Sequence, residues 1–409
     1  MTEPAAPLVL RGRVVTPDRV IEDGAVVVEG ARIVWVGDIA SATAPPALSE
    51  VVGATDPPTG GTTLLPGLVD LHNHGGGGAS FPDSADVGTA RGAVREHLRH
   101  GTTSMLASLV TADPATLVER AALLADVADT GDLVGIHLEG PFLSHARCGA
   151  QNPADMRPGD PELVRRIADA ARGHLVSMTV APEVEDVVGP GGVIEALARA
   201  GAVPSIGHTD ASFDQVERAV AASRDALAAD TARSRRPTAT HLFNGMRPLH
   251  HRDPGPIAAC LAAAGRGELV VELIADGTHL APGIVRTVFD LVGPGSIALV
   301  TDAMAAAGMP DGTYDLGPMR VRVAEGVARL ADGDAIAGGT AHLVDVVRSA
   351  VAAGVPLADA VRAASVTPAE VLGRTDVGAL ERGRRADVVV VDADLVPQAV
   401  LRAGQWVER

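Results

Sequence analysis

The chain has 409 residues, 46% of them hydrophobic and only 2% aromatic, a formal net charge of −17, and 34 basic residues that are all arginine. That acidity repels a phosphate backbone, and no basic stripe with interleaved aromatics appears, which argues against nucleic-acid binding. The first residues lack the basic and apolar regions of a signal peptide and no apolar run of about 18 residues follows, so no membrane partner is expected; the two cysteines, Cys148 and Cys260, are too few for a disulfide framework, and a reducing, cytoplasmic setting fits.

The length suits a barrel of about 250 residues with an accessory domain. In chain order, the first sixty or so residues alternate apolar and polar positions in short runs (Leu8–Leu10, Gly24–Val28, Arg32–Val36) broken by Gly and Asp. This pattern predicts a small antiparallel sheet. Eight apolar strand-like runs follow, beginning near Gly67, Thr103, Leu133, Leu175, Ala202, Thr238, Leu269 and Ile297. Amphipathic helical stretches separate them, such as residues 114–129 and 212–229. Eight β/α units predict an α/β fold, a (β/α)8 TIM-type barrel over residues 64–375, rather than a doubly wound sheet. Residues 230–237, with Arg233, Arg235 and Arg236, read as a solvated loop. The runs Ala386–Asp392 and Val400–Gly404 resume the style of the N-terminus. Residues 1–63 and 376–409 are therefore expected to form one small β-sandwich domain built from both termini.

The first barrel run ends in Asp70-Leu71-His72-Asn73-His74. On extended backbone, residues two apart leave the same face, so both imidazoles can reach one cation. Glu139, His208, His241 and Asp302 each close a later run, on the barrel face where active sites form. One such residue alone reads as a packed or capping group. Six at the strand ends of one face read as a metal site, with nitrogen and oxygen donors of the kind Zn²⁺ or Fe²⁺ accepts. No lysine is present to supply a carbamylated bridge between two ions, and Glu139 is the natural substitute. The run Gly75–Gly78 lacks the spacing and following helix of a phosphate loop and reads as flexible active-site backbone. His137 shares a strand face with Glu139 and is assigned to packing or to support of the ligands. Cys148 lies on the loop after the Glu139 strand, where an entrance thiol and an inert one are equally compatible with the pattern.

The segments Pro66–Gly75, His137–Leu143, Gly207-His208-Thr209, Thr240–Met246, Ala275–His279 and Thr301–Met304 together resemble the N-acetylglucosamine-6-phosphate deacetylases of the amidohydrolase superfamily, over nearly the whole chain. The resemblance implies that Glu139, His208 and His241 bind one metal and that His72 and His74 build a second site with Glu139, giving two divalent ions, Zn or Fe. It makes Asp302 the catalytic acid/base. It assigns the sugar phosphate to Asn244, the backbone at Gly245, Arg252 and His279, the last two in cis or from the neighbouring subunit of a homodimer, and places Gln151 near the substrate. The implied reaction releases acetate and glucosamine-6-phosphate. Another amidohydrolase reaction, purine deamination or dipeptide cleavage, would have no use for Asn244, Arg252 and His279. A non-catalytic binding protein would have lost metal ligands.

Overall fold

The computed structural model describes residues 6–39, 61–229 and 232–408. Parts of the sequence reading that fall on residues 1–5, 40–60, 230–231 and 409, including the leader region and much of the expected N-terminal piece, lie outside the described residues.

The eight apolar runs form eight parallel strands: β1 (Leu68–Asp70), β2 (Thr102–Val110), β3 (Gly135–Glu139), β4 (Leu175–Val180), β5 (Val203–Ile206), β6 (Thr238–Ala239), β7 (Val270–Leu273) and β8 (Ile297–Leu299). Each pairs with its neighbour in chain order, the signature of the predicted barrel. The strands are buried along their whole length, which is why they read as continuous apolar runs rather than alternating ones. Between β8 and β1 the barrel closes just beyond the strand ends, where Asn73 bridges Ala303 in parallel and the Asp302 N–H donates to the His72 carbonyl at 2.9 Å. The seam of the barrel is thus made by the residues that bear the candidate site.

Several of the intervening helices are opened by capping side chains. The helix Pro114–Asp129 starts with proline in its first turn, and the Asp113 side chain accepts from the Ala115 and Thr116 N–H groups. Phe213–Ala226 is opened by a capping box between Ser212 and Gln215, satisfying two N–H groups that a helix start otherwise leaves free. Among the described residues, no helix is long and apolar enough to cross a membrane.

Strands from both termini join in one seven-stranded sheet, in the order Gln405–Trp406, Pro397–Arg402, Val388–Val391, Thr63–Pro66, Leu8–Val15, Val20–Glu29, Arg32–Asp38. The expected antiparallel pattern holds except where Thr63–Pro66 runs parallel to Leu8–Val15. Residue 67 then turns directly into β1. A side chain there would collide with Thr103 Oγ1 at 2.1 Å, so glycine is required for the terminal sheet and the barrel to meet.

Two features differ from the sequence reading. Arg233 and Arg236 are not solvated: they are half-buried, with Arg233 Nε donating to the Gly201 carbonyl at 2.8 Å and an Arg236 guanidinium nitrogen to that of Gly295 at 2.9 Å. Guanidinium groups satisfy loop carbonyls while their stems cover apolar surface. A three-stranded antiparallel sheet after β8, formed by Gly312–Leu316, Met319–Ala324 and Val327–Leu330, has no counterpart among the predicted elements and stands over the mouth of the barrel.

Candidate metal centre and substrate cavity

His72 and His74 lie just past β1, fully buried, with their Nε2 atoms 3.0 Å apart. Glu139 is the last residue of β3, whereas His208 and His241 follow β5 and β6 by two residues and Asp302 follows β8 by three. At His208, His241 and Asp302 the backbone turns left-handed, with φ of 45°, 25° and 48°. Non-glycine residues adopt that region at a cost and persist there when their surroundings fix them, most often at functional sites. Here the turn directs three strand-end side chains to the barrel axis.

They converge on Glu139. Its Oε1 lies 2.9 Å from His208 Nε2 and 2.7 Å from His241 Nε2. Its Oε2 lies 3.2 Å from His74 Nε2 and 3.7 Å from His72 Nε2. Asp302 Oδ1 is 3.4 Å from His72 Nε2 and 3.2 Å from His74 Nε2. Two clusters result, Glu139/His208/His241 and His72/His74/Glu139/Asp302, each with donor atoms within 4.8 Å of one another.

The donor chemistry fits cations at both places. The Nδ1 atoms of His74 and His208 face the carbonyls of Ser108 and Arg147 at 3.2 and 2.8 Å, so these nitrogens carry the hydrogens. The Nε2 lone pairs then point at one another and at carboxylate oxygens, an arrangement that repels itself unless protons or metal ions lie between. Protons serve in the metal-free protein. Burial pushes the imidazole of His72 toward its neutral form, but the charges of Asp302 and Glu139 outweigh it and raise its pKa well above the usual value. His74 and His208 are raised in the same way, against burial, His74 by hydrogen bonds to Asp302 and Glu139 and His208 by its hydrogen bond to Glu139. Conversely, burial opposes ionisation of Glu139 and Asp302, but the facing imidazoles hold Glu139 well below the carboxylate range and Asp302 at about 2. His137 packs edge-on to His72 with ring centres 4.4 Å apart, held by Ser108 and Thr179 hydroxyls at 2.9 Å. Burial and the neighbouring His72 depress its pKa well below normal, so it supports the ligands as a neutral ring.

This constellation, four imidazoles and two carboxylates at the C-terminal mouth of a barrel, coincides with a sequence match: a model of the amidohydrolase family matches residues 63–407. The chain belongs to the amidohydrolase family. It is 34% identical over 354 residues to an N-acetylglucosamine-6-phosphate deacetylase of Lysinibacillus sphaericus, covering 84% of this chain and 85% of that protein. It is 33% identical to an N-acetylgalactosamine-6-phosphate deacetylase of Escherichia coli O157:H7, covering 84% and 87%. Among solved structures, it resembles a Mycobacterium smegmatis N-acetyl-D-glucosamine-6-phosphate deacetylase variant in complex with N-acetyl-D-glucosamine-6-phosphate, with a TM-score of 0.87 and 42% identity, over 99% of this chain and 100% of that one.

In this amidohydrolase the donor clusters floor a cavity of about 270 Å³, whose walls include Gln151, Asn244, Gly245, His279, Leu316 and Ile336. Gln151 is buried; its Nε2 donates to Glu139 Oε2 at 2.6 Å while its Oε1 accepts from the Thr111 N–H at 2.8 Å. Asn244 Nδ2 donates to the His241 carbonyl at 3.3 Å. Gly245 has φ 60°, and a Cβ there would come within 2.8 Å of His208 Nδ1, so only glycine brings this backbone to the cavity wall. His279 is braced by Asp276, which accepts from Nδ1 at 2.8 Å and from two backbone N–H groups. Burial opposes its charge, but Asp276 raises its pKa. Arg252, by contrast, is exposed and lies outside the cavity wall. Cys148 is partly exposed on the loop whose next residue, Gly149, lines the cavity.

Two contributors went unnoticed in the sequence. Asp70, fully buried, accepts from the Thr301 hydroxyl at 2.6 Å and Asn73 Nδ2 at 3.1 Å, tying β1 to the strand end that carries Asp302. Burial lifts its pKa to about 6 against the pull of these donors. Glu272 approaches His72 Nδ1 to 3.3 Å. The sequence signal was available for both: an acid inside an otherwise apolar barrel strand.

Proposed function

We propose that this chain hydrolyses the N-acetyl group of N-acetylglucosamine-6-phosphate, giving acetate and glucosamine-6-phosphate, with two divalent ions, Zn or Fe. The observation that carries the reading is the sharing of Glu139 between two donor clusters at the floor of a cavity that also holds Asp302 and His279. Glu139, His208 and His241 would hold one ion and His72 and His74, with Glu139, the other. Bound there, a divalent ion lowers the pKa of water from 15.7 to about 7 and polarises the amide carbonyl.

The rest falls to the protein. Asp302, ionised and directed at the cluster, accepts the proton of the attacking water and returns it to the departing nitrogen. The amide C–N bond breaks, and acetate leaves with the water oxygen. His279, whose pKa is raised by its contact with Asp276, and Asn244 with the Gly245 backbone hold the phosphorylated sugar. Gln151 keeps Glu139 turned toward the imidazoles. Arg252, outside its own cavity, is assigned to the phosphate in the site of a second copy, making the enzyme a homodimer. A cytoplasmic setting suits the thiols of Cys148 and Cys260, both free.

The deciding experiment measures acetate release from N-acetylglucosamine-6-phosphate, its 4-epimer N-acetylgalactosamine-6-phosphate and the unphosphorylated sugar, with ammonia release in parallel. Acetate from the phosphorylated glucosamine derivative in clear preference supports the reading. Preference for the epimer redirects the substrate, and ammonia as product overturns the deacetylase assignment.

A further inference from the structure

Glu272 sits in β7 among Val270, Val271 and Leu273 and is 3% exposed. A buried carboxylate is costly unless a partner offsets its charge, and an apolar side chain would pack this strand better. The partner in reach is His72. Glu272 Oε2 lies 3.3 Å from His72 Nδ1 and 3.4 Å from the His241 N–H, while the Glu272 carbonyl accepts from the Leu242 N–H at 2.8 Å. The carboxylate is therefore held between residues of both donor clusters.

We propose that Glu272 is a positioning residue that fixes the tautomer of His72, and so sets the affinity of the His72/His74/Glu139 position for its ion. The inference rests on the two-ion reading given above. A carboxylate only accepts, so His72 Nδ1 carries the hydrogen and Nε2 presents its lone pair to the cluster. In the other tautomer a hydrogen on Nε2 would occupy the ion's place, and Nδ1 would turn a lone pair toward an anion. Packing does not make this choice. The His72 ring lies edge-on to His137 and stacks on His241 with centres 5.3 Å apart, contacts that orient a ring plane without distinguishing its nitrogens. His74 and His208 are oriented by neutral carbonyls. At His72 the acceptor is charged, which also strengthens Nε2 as a ligand.

The test is a double-mutant cycle read as metal affinity rather than turnover. Chelator-treated wild-type, Glu272→Leu, His72→Ala and the double variant are titrated with Zn²⁺ against a competing indicator, and ions per chain are counted. Glu272→Leu should weaken one ion by about 10- to 100-fold and leave the other unchanged. Added to His72→Ala, it should cause no further loss. Glu272→Gln, which preserves shape and a neutral acceptor, should fall between wild type and the leucine variant, and it carries the same cycle if the leucine variant does not fold. Unchanged affinity in both Glu272 variants, or an equal loss with and without His72, overturns the inference. Wild-type protein taking up a single ion refutes the two-ion reading instead, and the coupling between positions 272 and 72 is then judged on that ion.

Discussion

Asp302 is the group on which the proposed proton transfer depends, and Asp302→Asn isolates it. Its φ of 48° favours asparagine as the probe, since Asn tolerates left-handed backbone as Asp does while most side chains are strained there. The substitution preserves shape and removes the charge and with it the ability to take and return a proton. In the metal-free protein the charge of His72 and a hydrogen bond from His74 overcome burial and hold the Asp302 carboxyl at about 2, so it is a carboxylate throughout the neutral range. A positioned acid/base is worth about 10²–10⁴ in rate, which corresponds to about 3–5.5 kcal/mol of barrel-held transition-state stabilisation. Acetate release from the phosphorylated sugar should therefore fall in kcat by that factor, with KM changed only a few-fold. Because Asp302 also lies 3.2 Å from His74 Nε2, metal content must be measured beside the rate, with the assay run at saturating metal. A kcat within tenfold of wild type in the fully loaded variant would refute the assignment of Asp302 as acid/base.

Fully loaded wild-type protein should contain two divalent ions per chain, and His72→Asn should lower that toward one with weakened activity; elemental analysis of the wild type that finds one ion rejects the second site. Arg252→Ala should lower kcat/KM for the phosphorylated sugar by roughly 10- to 150-fold, the equivalent of a charge-assisted hydrogen bond, and barely affect the unphosphorylated one. Mixing Arg252→Ala with Asp302→Asn subunits should restore activity if the arginine is donated across a dimer, and no recovery would place it in cis. The metal-free protein should lose stability as pH rises. His72, His74 and His208 have folded pKa values raised above 6.5, so their contribution is complete below that value and disappears as pH climbs through the raised ones. Asp302, depressed from 3.8 to about 2, contributes above its unfolded value and is lost only in strong acid. Melting of chelated protein should thus show a falling Tm from pH 6 to 9 that bound metal suppresses, since ions replace the protons; a flat profile without metal contradicts the proton-filled site.

The barrel was legible because burial on both faces leaves a continuous apolar run at every strand, and because amphipathic stretches such as residues 114–129 separate those runs. The convergence of the six residues of the donor clusters was legible for a related reason: a polar residue ending an apolar run in a parallel barrel has few places to point but the mouth. What remained hidden depends on contacts between distant segments. Nothing local to Val270–Leu273 says that its acid meets His72, some 200 positions earlier, and nothing local to Arg233 and Arg236 says which carbonyls await them. The strands over the mouth, Gly312–Leu316 through Val327–Leu330, are short and largely exposed, so they lack the continuous apolar runs that mark the core strands.

The same contrast separates the parts of the site that are rigid from those free to vary. His208, His241 and Asp302 hold left-handed backbone at a cost of order 1–3 kcal/mol each, and their chain neighbours Gly207, Thr209, Leu242, Thr301 and Ala303 are buried. These positions cannot relax without opening the core, and the Asp70 clamp on Thr301 fixes the last of them across the barrel seam. The donor clusters are consequently set before any ion or substrate arrives, which lowers the reorganisation needed during reaction. Leu316, Ala335, Ile336 and Gly338 complete the cavity from the opposite side, from the small sheet and the loop after it. Changes there reshape the cavity without moving a residue of the donor clusters. Discrimination between the glucosamine and galactosamine epimers should therefore be altered through this rim, while the hydrolytic chemistry stays with the strand ends beneath it.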